Sequence, residues 1–269
     1  MVRPRSPRTL LIEPRGTPSS FLPLAFSHVF DVTARREISA EPRPEDGGVE
    51  SFDTDAAQQI NEARLTHLAS LNLPLDRRRV LEVGAGVGRL TSFFTDRGCP
   101  VVATEARSEN VAELRRRLPS VDAREADVEE SLEDLGRFDV VFCYGVLYHL
   151  ESPLRALRNM AAVCDDLILI ETMVCDSREA VLRLEDETKS VNQALRGLAH
   201  RPSPSYLAIA LNRVGFDHVY AATDPPDHPD YRFSWLDNMD TARDGALLRG
   251  VFVASRSPLR QGGLASLLD

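Results

Sequence analysis

Short apolar runs punctuate the middle of the chain. They are Val80-Leu81-Glu82-Val83, Val101-Val102-Ala103, Phe138-Asp139-Val140-Val141-Phe142 and Leu167-Ile168-Leu169-Ile170. Runs of this kind, bounded by turn residues, predict strands covered on both faces, as in a parallel sheet. The predicted strands are 79–83, 100–104, 121–125, 138–142 and 167–171. Helical spacing fills the gaps: 87–97 stopped by Gly98, 108–118 capped by Ser108, and 154–163 entered through Pro153. A lead-in helix spans 54–71, with Ala57, Ile60, Leu65, Leu68 and Leu71 on one face and Asp53 or Thr54 as cap. This alternation predicts a doubly wound α/β sheet with helices on both faces. Residues 178–200 carry Val181, Leu182, Leu184, Val191, Leu195 and Leu198, and are expected to form a helical lid or insertion within about 175–204. A helix at 205–214, a strand at 216–221, a loop at 224–229 and a strand at 248–254 follow, the two strands closing the sheet as an antiparallel hairpin. Three parts are expected: an arm over 1–52, a domain over 53–255 and a frayed tail over 256–269. The arm begins rich in Pro, Arg and Ser, and its Phe21-Leu22-Pro23-Leu24-Ala25-Phe26 stretch can pack on the domain.

Composition narrows the function. The chain has 269 residues, 43% of them hydrophobic, which supports one large core. A net charge of −9 argues against a protein that coats nucleic acid or an anionic membrane. Cys99, Cys143, Cys164 and Cys175 are scattered, with no C-x-x-C pair, and are expected as small core residues in a reducing cytoplasm. No apolar run is long enough to cross a membrane, and no secretory h-region follows the first arginines.

The candidate chemistry centres on Gly84-Ala85-Gly86-Val87-Gly88-Arg89, straight after the first strand, with Glu82 two residues ahead of the glycines. Glycines let a backbone turn sharply and approach a ligand closely. The spacing is G-x-G-x-G, which differs from the G-x-G-x-x-G of dinucleotide binders. Glu105, followed by Ala106, ends the second strand, where a doubly wound sheet presents an acid to a ribose; the alternative is a neighbour of the next helix cap. Asp127, between Ala126 and Val128, ends the third strand, where a carboxylate can accept from an adenine amino group. The fourth strand runs into Tyr144-Gly145-Val146-Leu147-Tyr148-His149, an irregular segment at the centre of the sheet. Tyr144 and Tyr148 can pack on a cofactor, bond to its polar head, or fill core. His149 titrates near neutrality, which suits a base for a hydroxyl acceptor; the competing role is a structural histidine. Asn61 and Arg64 are polar residues of the lead-in helix that can reach a cofactor; the alternative is a solvated helix face.

Taken together, Glu82 to Gly88, Glu105, Asp127 and the fourth-strand segment resemble the class I S-adenosylmethionine-dependent methyltransferases over about residues 55–255. The resemblance implies a Rossmann-like, seven-stranded methyltransferase sheet and S-adenosylmethionine as cofactor. It places cofactor contacts at Arg64, Glu82, Gly84, Ala85, Gly86, Gly88, Arg89, Glu105, Ala106, Ala126, Asp127, Val128, Tyr144 and Gly145. His149 and Tyr148 become the catalytic candidates. Acceptor contacts are expected from Asn192, Gln193, Arg201, Tyr206 and His228. The segment Gly145-Val146-Leu147-Tyr148-His149 is also similar to that of the tRNA wobble-uridine carboxymethyltransferases, which use a carboxylated cofactor. The expected activity is O- or N-methylation of a small molecule in bacterial biosynthesis. One alternative is RNA modification, with Arg3, Arg5, Arg8, Arg15 and Arg115-Arg116-Arg117 as basic candidates. Another is a non-catalytic S-adenosylmethionine-binding protein. No metal is expected, because His200, His218 and His228 lack ligand spacing.

Overall fold

The computed structural model describes residues 48–187, 194–231 and 248–268. Five strands run parallel: β1 (Val80–Val83), β2 (Val101–Glu105), β3 (Asp122–Glu125), β4 (Phe138–Tyr144) and β5 (Cys164–Met173). They join β8 (His218–Ala222), β9 (Arg249–Ser255) and β10 (Leu264–Ser266) in one sheet of order β10-β8-β9-β5-β4-β1-β2-β3. β9 lies antiparallel between β5 and β8. The helices are α1 (Asp55–Ser70), α2 (Ser92–Thr95), α3 (Ser108–Arg117), α4 (Pro153–Val163) and α5 (Pro204–Arg213). Thr54 caps α1, its Oγ1 accepting from the Ala57 N–H at 3.2 Å. Ser203 caps α5 in the same way, ahead of Pro204.

Alternate strand residues point to opposite faces, and both faces are apolar. Leu81, Val83, Val141, Ile168 and Ile170 pack with Leu157 and Met160 of α4 and Leu207 and Leu211 of α5. Val80, Val140, Phe142 and Leu169 pack with Leu68 of α1, with Leu71 just after it, and with Phe93 and Phe94 of α2. The Phe94 and Phe142 rings meet edge to face, with centroids 4.9 Å apart. β1 lies between β4 and β2, so the strand order reverses there. In such sheets the crevice outside the carboxyl ends at that point holds the ligand.

Several expectations change. The helix expected over 87–97 contracts to α2, because Gly86 and Gly88 have positive φ (55° and 84°) and the first turns are spent on an irregular loop. Ser108 is the first residue of α3, with Arg107 at the cap position and no side-chain cap. The expected helical lid is a β-ribbon: β6 (Leu182–Asp186) pairs antiparallel with β7 (Leu198–Pro202). Leu182, Arg183, Leu184 and Glu185 alternate apolar and polar, and that two-residue period prevails over helical spacing. The tail supplies β10, which pairs antiparallel with β8 and makes the sheet eight-stranded where seven strands were expected. The arm expectations for residues 1–47 lie outside the described residues. Among the described residues no helix is long and apolar enough to cross a membrane.

Candidate active site

The carboxyl ends of β1, β2, β3 and β4 open into a cavity of about 270 Å³. The glycine turn makes one wall. Ala85 N–H donates to the Thr104 carbonyl at 2.9 Å, which fastens the turn to β2. Gly84, Ala85 and Arg89 line the cavity, whereas Gly86 and Gly88 do not. Their work is close packing. A Cβ at Gly88 would stand 2.3 Å from Leu114 of α3, and one at Gly86 would stand 2.5 Å from the ring of Phe52. Phe52 belongs to a 3-10 turn, Val49–Asp53, that straps this wall. Asp53 fastens the strap by pairing with Arg89 and with Arg117 of α3. Those two guanidiniums, Arg117 first, hold the Asp53 carboxyl far below the usual range.

Glu105 and Ala106 line the cavity at the end of β2. Glu105 Oε2 accepts from the Gly86 N–H at 3.0 Å and Oε1 from the Arg107 N–H at 3.1 Å. Burial raises its pKa against these bonds. Ala126, Asp127 and Val128 line the cavity beyond β3. Asp127 Oδ1 accepts from the Glu129 N–H at 2.9 Å, and Oδ2 from Arg196, just before β7, at 2.7 Å. A carboxylate offers about four acceptor directions, so both acids keep capacity for a ligand.

The floor is a charge cluster. Glu171 of β5 is fully buried. Arg64 of α1 donates to it at 2.6 Å, the Tyr231 hydroxyl at 2.7 Å and Arg249 of β9 at 3.0 Å. Burial opposes ionisation of Glu171, but Arg64 and Arg249 outweigh it and hold the pKa below its ordinary value. Arg249 also reaches the Tyr148 hydroxyl at 3.3 Å, and its guanidinium lies 4.9 Å from the Tyr148 ring centroid. Arg64, Tyr144, Gly145, Tyr148, His149 and Arg249 all line the cavity. The buried Tyr144 hydroxyl makes no hydrogen bond among the described residues, and burial drives its pKa far above that of a free phenol. His149 Nδ1 lies 2.8 Å from Glu187 Oε2, and its pKa is lowered, burial outweighing Glu187.

Other expected site residues fall elsewhere. Glu82 faces the α1 side beneath the turn, fully buried and off the cavity, because β1 turns Val80 and Glu82 together into that core. Arg201 lies on β7, paired with Glu185 at 3.3 Å. Tyr206 lies on α5 and His228 in the loop beside Asp230, neither on the cavity. Asn192 and Gln193 lie outside the described residues. Reading the sequence missed Phe52, Glu187, Arg196 and Arg249 as site residues. An arginine inside the apolar run Leu247-Leu248-Arg249-Gly250-Val251-Phe252 is the one signal that could have found the last of them. The basic run of α3 is engaged within the fold. Arg115 donates to the Ala123 carbonyl, Arg116 pairs with Glu113, and Arg117 pairs with Glu113 and Asp53. Among the described residues no group of three His, Cys, Asp or Glu could hold a metal.

Glu82 carries a pH signature. Burial raises its carboxyl pKa to about 7 from 4.5. The folded chain then holds a proton that the unfolded chain releases above pH 4.5. The stability this confers is complete below that pH and declines as pH rises to about 7, by on the order of 3 kcal/mol. Glu82→Gln is expected to remove that decline. The check is the difference in melting temperature between variant and parent at pH 4.5, 6 and 8. A difference that stays constant with pH would contradict the assignment.

A glycine turn, two strand-end carboxylates and a buried cationic floor define an α/β protein built for a nucleoside cofactor. Comparison with known proteins gives the family: residues 53–221 match the methyltransferase domain. The chain belongs to that family, among the class I S-adenosylmethionine-dependent methyltransferases, whose cofactor is S-adenosylmethionine. An uncharacterized methyltransferase of Mycobacterium tuberculosis is 37% identical over 91 residues, covering 34% of this chain and 37% of that protein. A tRNA U34 carboxymethyltransferase of Syntrophotalea carbinolica is 28% identical over 177 residues, covering 62% and 52%. The chain therefore spans about half, or less, of these relatives. The N-terminal domain of EvdMO1, solved with S-adenosylhomocysteine and D-fucose, shares the fold at a TM-score of 0.55 and 23% identity, over 76% of this chain and 85% of that one.

The residues present fit this cofactor. Glu105 and Asp127 bring two carboxylates to one cavity, and a carboxylate is the acceptor that ribose hydroxyls and an adenine amino group call for. The orphaned Tyr144 hydroxyl and the Arg64 guanidinium line the same cavity and offer polar groups to the rest of the cofactor.

Proposed function

We propose that the protein methylates an oxygen or nitrogen of a small-molecule acceptor. The observation that carries this reading is one cavity lined by Glu105, the glycine turn, Tyr144 and His149. Glu105 accepts from the ribose hydroxyls, Asp127 and the Val128 backbone receive the adenine, and Arg64 and Tyr144 bind the amino-acid head. When bound, S-adenosylmethionine supplies a methyl group on a sulfonium sulfur that keeps the bonding electrons. The chain's own task is to align the acceptor and exclude water, an effect worth up to roughly 7–11 kcal/mol. His149, half-buried and with a lowered pKa that leaves it neutral at pH 7, takes the proton of a hydroxyl acceptor. Phe52 and Leu195 add apolar surface to the cavity lining, which helps to exclude water. The net charge of −9 and the internally paired arginines of α3 favour a small acceptor over RNA. Thermal shift with S-adenosylmethionine, S-adenosylhomocysteine and NAD tests the reading. At a ligand concentration 100 times Kd the first two are expected to add about 2.7 kcal/mol, and NAD nothing. Stabilisation by NAD alone would overturn it. A mass-resolved acceptor screen, reading a methyl gain, then separates an enzyme from a binding protein without turnover.

A second reading, transfer of a carboxymethyl group to tRNA, is favoured by Arg249 and Tyr148 lining the cavity together. A buried cation beside a phenol suits a carboxylated cofactor. A greater melting shift with that cofactor, and tRNA binding that weakens steeply with salt, would put this reading first.

A further inference from the structure

The inserted ribbon sends a carboxylate into the site that the proposed reaction does not yet use. Glu187 follows β6 directly, and its backbone N–H donates to the Gly197 carbonyl across the ribbon at 3.0 Å. Its side chain is buried, with Oε2 2.8 Å from Nδ1 of His149. His149 lies in a 3-10 turn, Leu147–His149, whose own N–H donates to the Val146 carbonyl. Two separate segments thus hold this residue: the turn after β4 through the backbone and the ribbon through a carboxylate. Nε2 makes no hydrogen bond to any described residue, and His149 is a wall of the cavity.

An ionised carboxylate only accepts hydrogen bonds, so Nδ1 must carry the proton that joins the two side chains. A neutral imidazole has one N–H. With Nδ1 protonated, Nε2 is left with a lone pair. Free histidine in water prefers the opposite tautomer, with the proton on Nε2, which accepts nothing at that atom. We infer that Glu187 is a positioning residue that holds His149 in the Nδ1–H tautomer, so that Nε2 is the proton acceptor of the site. The inference rests on the methyl-transfer reading for its purpose and on the His149–Glu187 contact for its substance. In the reaction, the acceptor's O–H bond breaks, its proton goes to Nε2, and its oxygen forms the new bond to the methyl carbon as the carbon–sulfur bond breaks and its electron pair stays on sulfur. The proton then leaves to solvent from the imidazolium, whose charge Glu187 balances. This assigns the ribbon a part in the chemistry: it supplies the third member of an acceptor–base–orienter line. The charged and titratable groups around the imidazole are Glu187 after β6, Arg201 of β7, Arg249 of β9 and the adjacent Tyr148, with His200 of β7 bonded to the nearby Leu150 carbonyl at 3.3 Å.

Nitrogen NMR of the full chain labelled at histidine reads the tautomer without turnover, the His149 signals being assigned by their loss in His149→Asn. The parent at pH 7.5 is expected to show Nδ1 protonated and Nε2 bare. Glu187→Ala should move the population to mostly Nε2–H. Glu187→Gln, whose amide oxygen still accepts, should restore Nδ1–H while lowering the His149 pKa, since the charge that favours the imidazolium is gone. A parent already in the Nε2–H form, or a tautomer unchanged in Glu187→Ala, overturns the inference. If the alanine variant does not fold, the parent's tautomer and the glutamine variant decide it. Calorimetry with S-adenosylhomocysteine runs alongside, and affinity within about threefold is expected across the Glu187 variants. Absence of S-adenosylhomocysteine binding in the parent would sink the methyltransferase reading, whereas the wrong tautomer with intact binding sinks only the role of Glu187.

Discussion

Glu171→Ala is expected to lower stability by about 3–5 kcal/mol, the cost typical of removing one partner from a buried ion pair. The substitution leaves Arg64 and Arg249 facing each other with no carboxylate between them and deprives the Tyr231 hydroxyl of its acceptor. For a domain of this size the loss corresponds to a fall in melting temperature of roughly 6–20 °C. The loss should depend on pH in a defined direction. Glu171 has a lowered pKa in the fold, so its contribution is present above the unfolded value of 4.5 and fades as pH falls through the folded one. Parent and variant should therefore converge in acid. Scanning calorimetry from pH 3 to 8 makes the comparison. A variant that melts within a degree of the parent at pH 7 would mean that the two arginines find other partners at no cost.

Glu105→Ala is expected to weaken S-adenosylhomocysteine binding by roughly 10²-fold. Hydrogen bonds to a charged group are worth about 1.5–3 kcal/mol each, and tenfold in affinity is 1.4 kcal/mol. The carboxylate has a second task that adds to the loss. It ties the Gly86 and Arg107 N–H groups together, so its removal also loosens the glycine turn. Isothermal calorimetry gives the affinity, and circular dichroism checks that the fold is retained. Binding within threefold of the parent would move the ribose contact away from the end of β2.

Four of the five parallel strands, β1, β2, β4 and β5, were legible because they carry apolar runs, and few patterns other than a covered parallel sheet produce such runs; β3, Asp122–Glu125, carries none. Glu105 and Asp127 were legible for a related reason: in a doubly wound sheet, the end of a strand is a known place. The charge cluster was not legible. Arg64 and Glu171 are 107 residues apart in the chain, Glu171 and Arg249 are 78 apart, and His149 and Glu187 are 38 apart. No local pattern announces a partner at such distances. Glu82 shows the opposite error. Its place beside the glycines resembles that of a ligand contact, but the two-residue period of β1 turns it into the core with Val80. The ribbon was misread because Val181, Leu182 and Leu184 satisfy a helical window as well as an alternating one, and only the cross-strand partners 198–202 decide between them.

β9 completes three things at once: it covers the edge of β5, it holds β8 in the sheet, and it delivers Arg249 to Glu171. It does so from residues 249–255, so it leaves the ribosome after β1 to β8 have already emerged. Until then β5 is an open edge centred on the apolar run Leu167–Ile170, and Glu171 has Arg64 but lacks its second cation. A message that stops before codon 249 therefore encodes more than a shortened protein. It yields a chain whose central strand is a template for pairing with its neighbours, and such products should collect in inclusion bodies or be cleared by proteases.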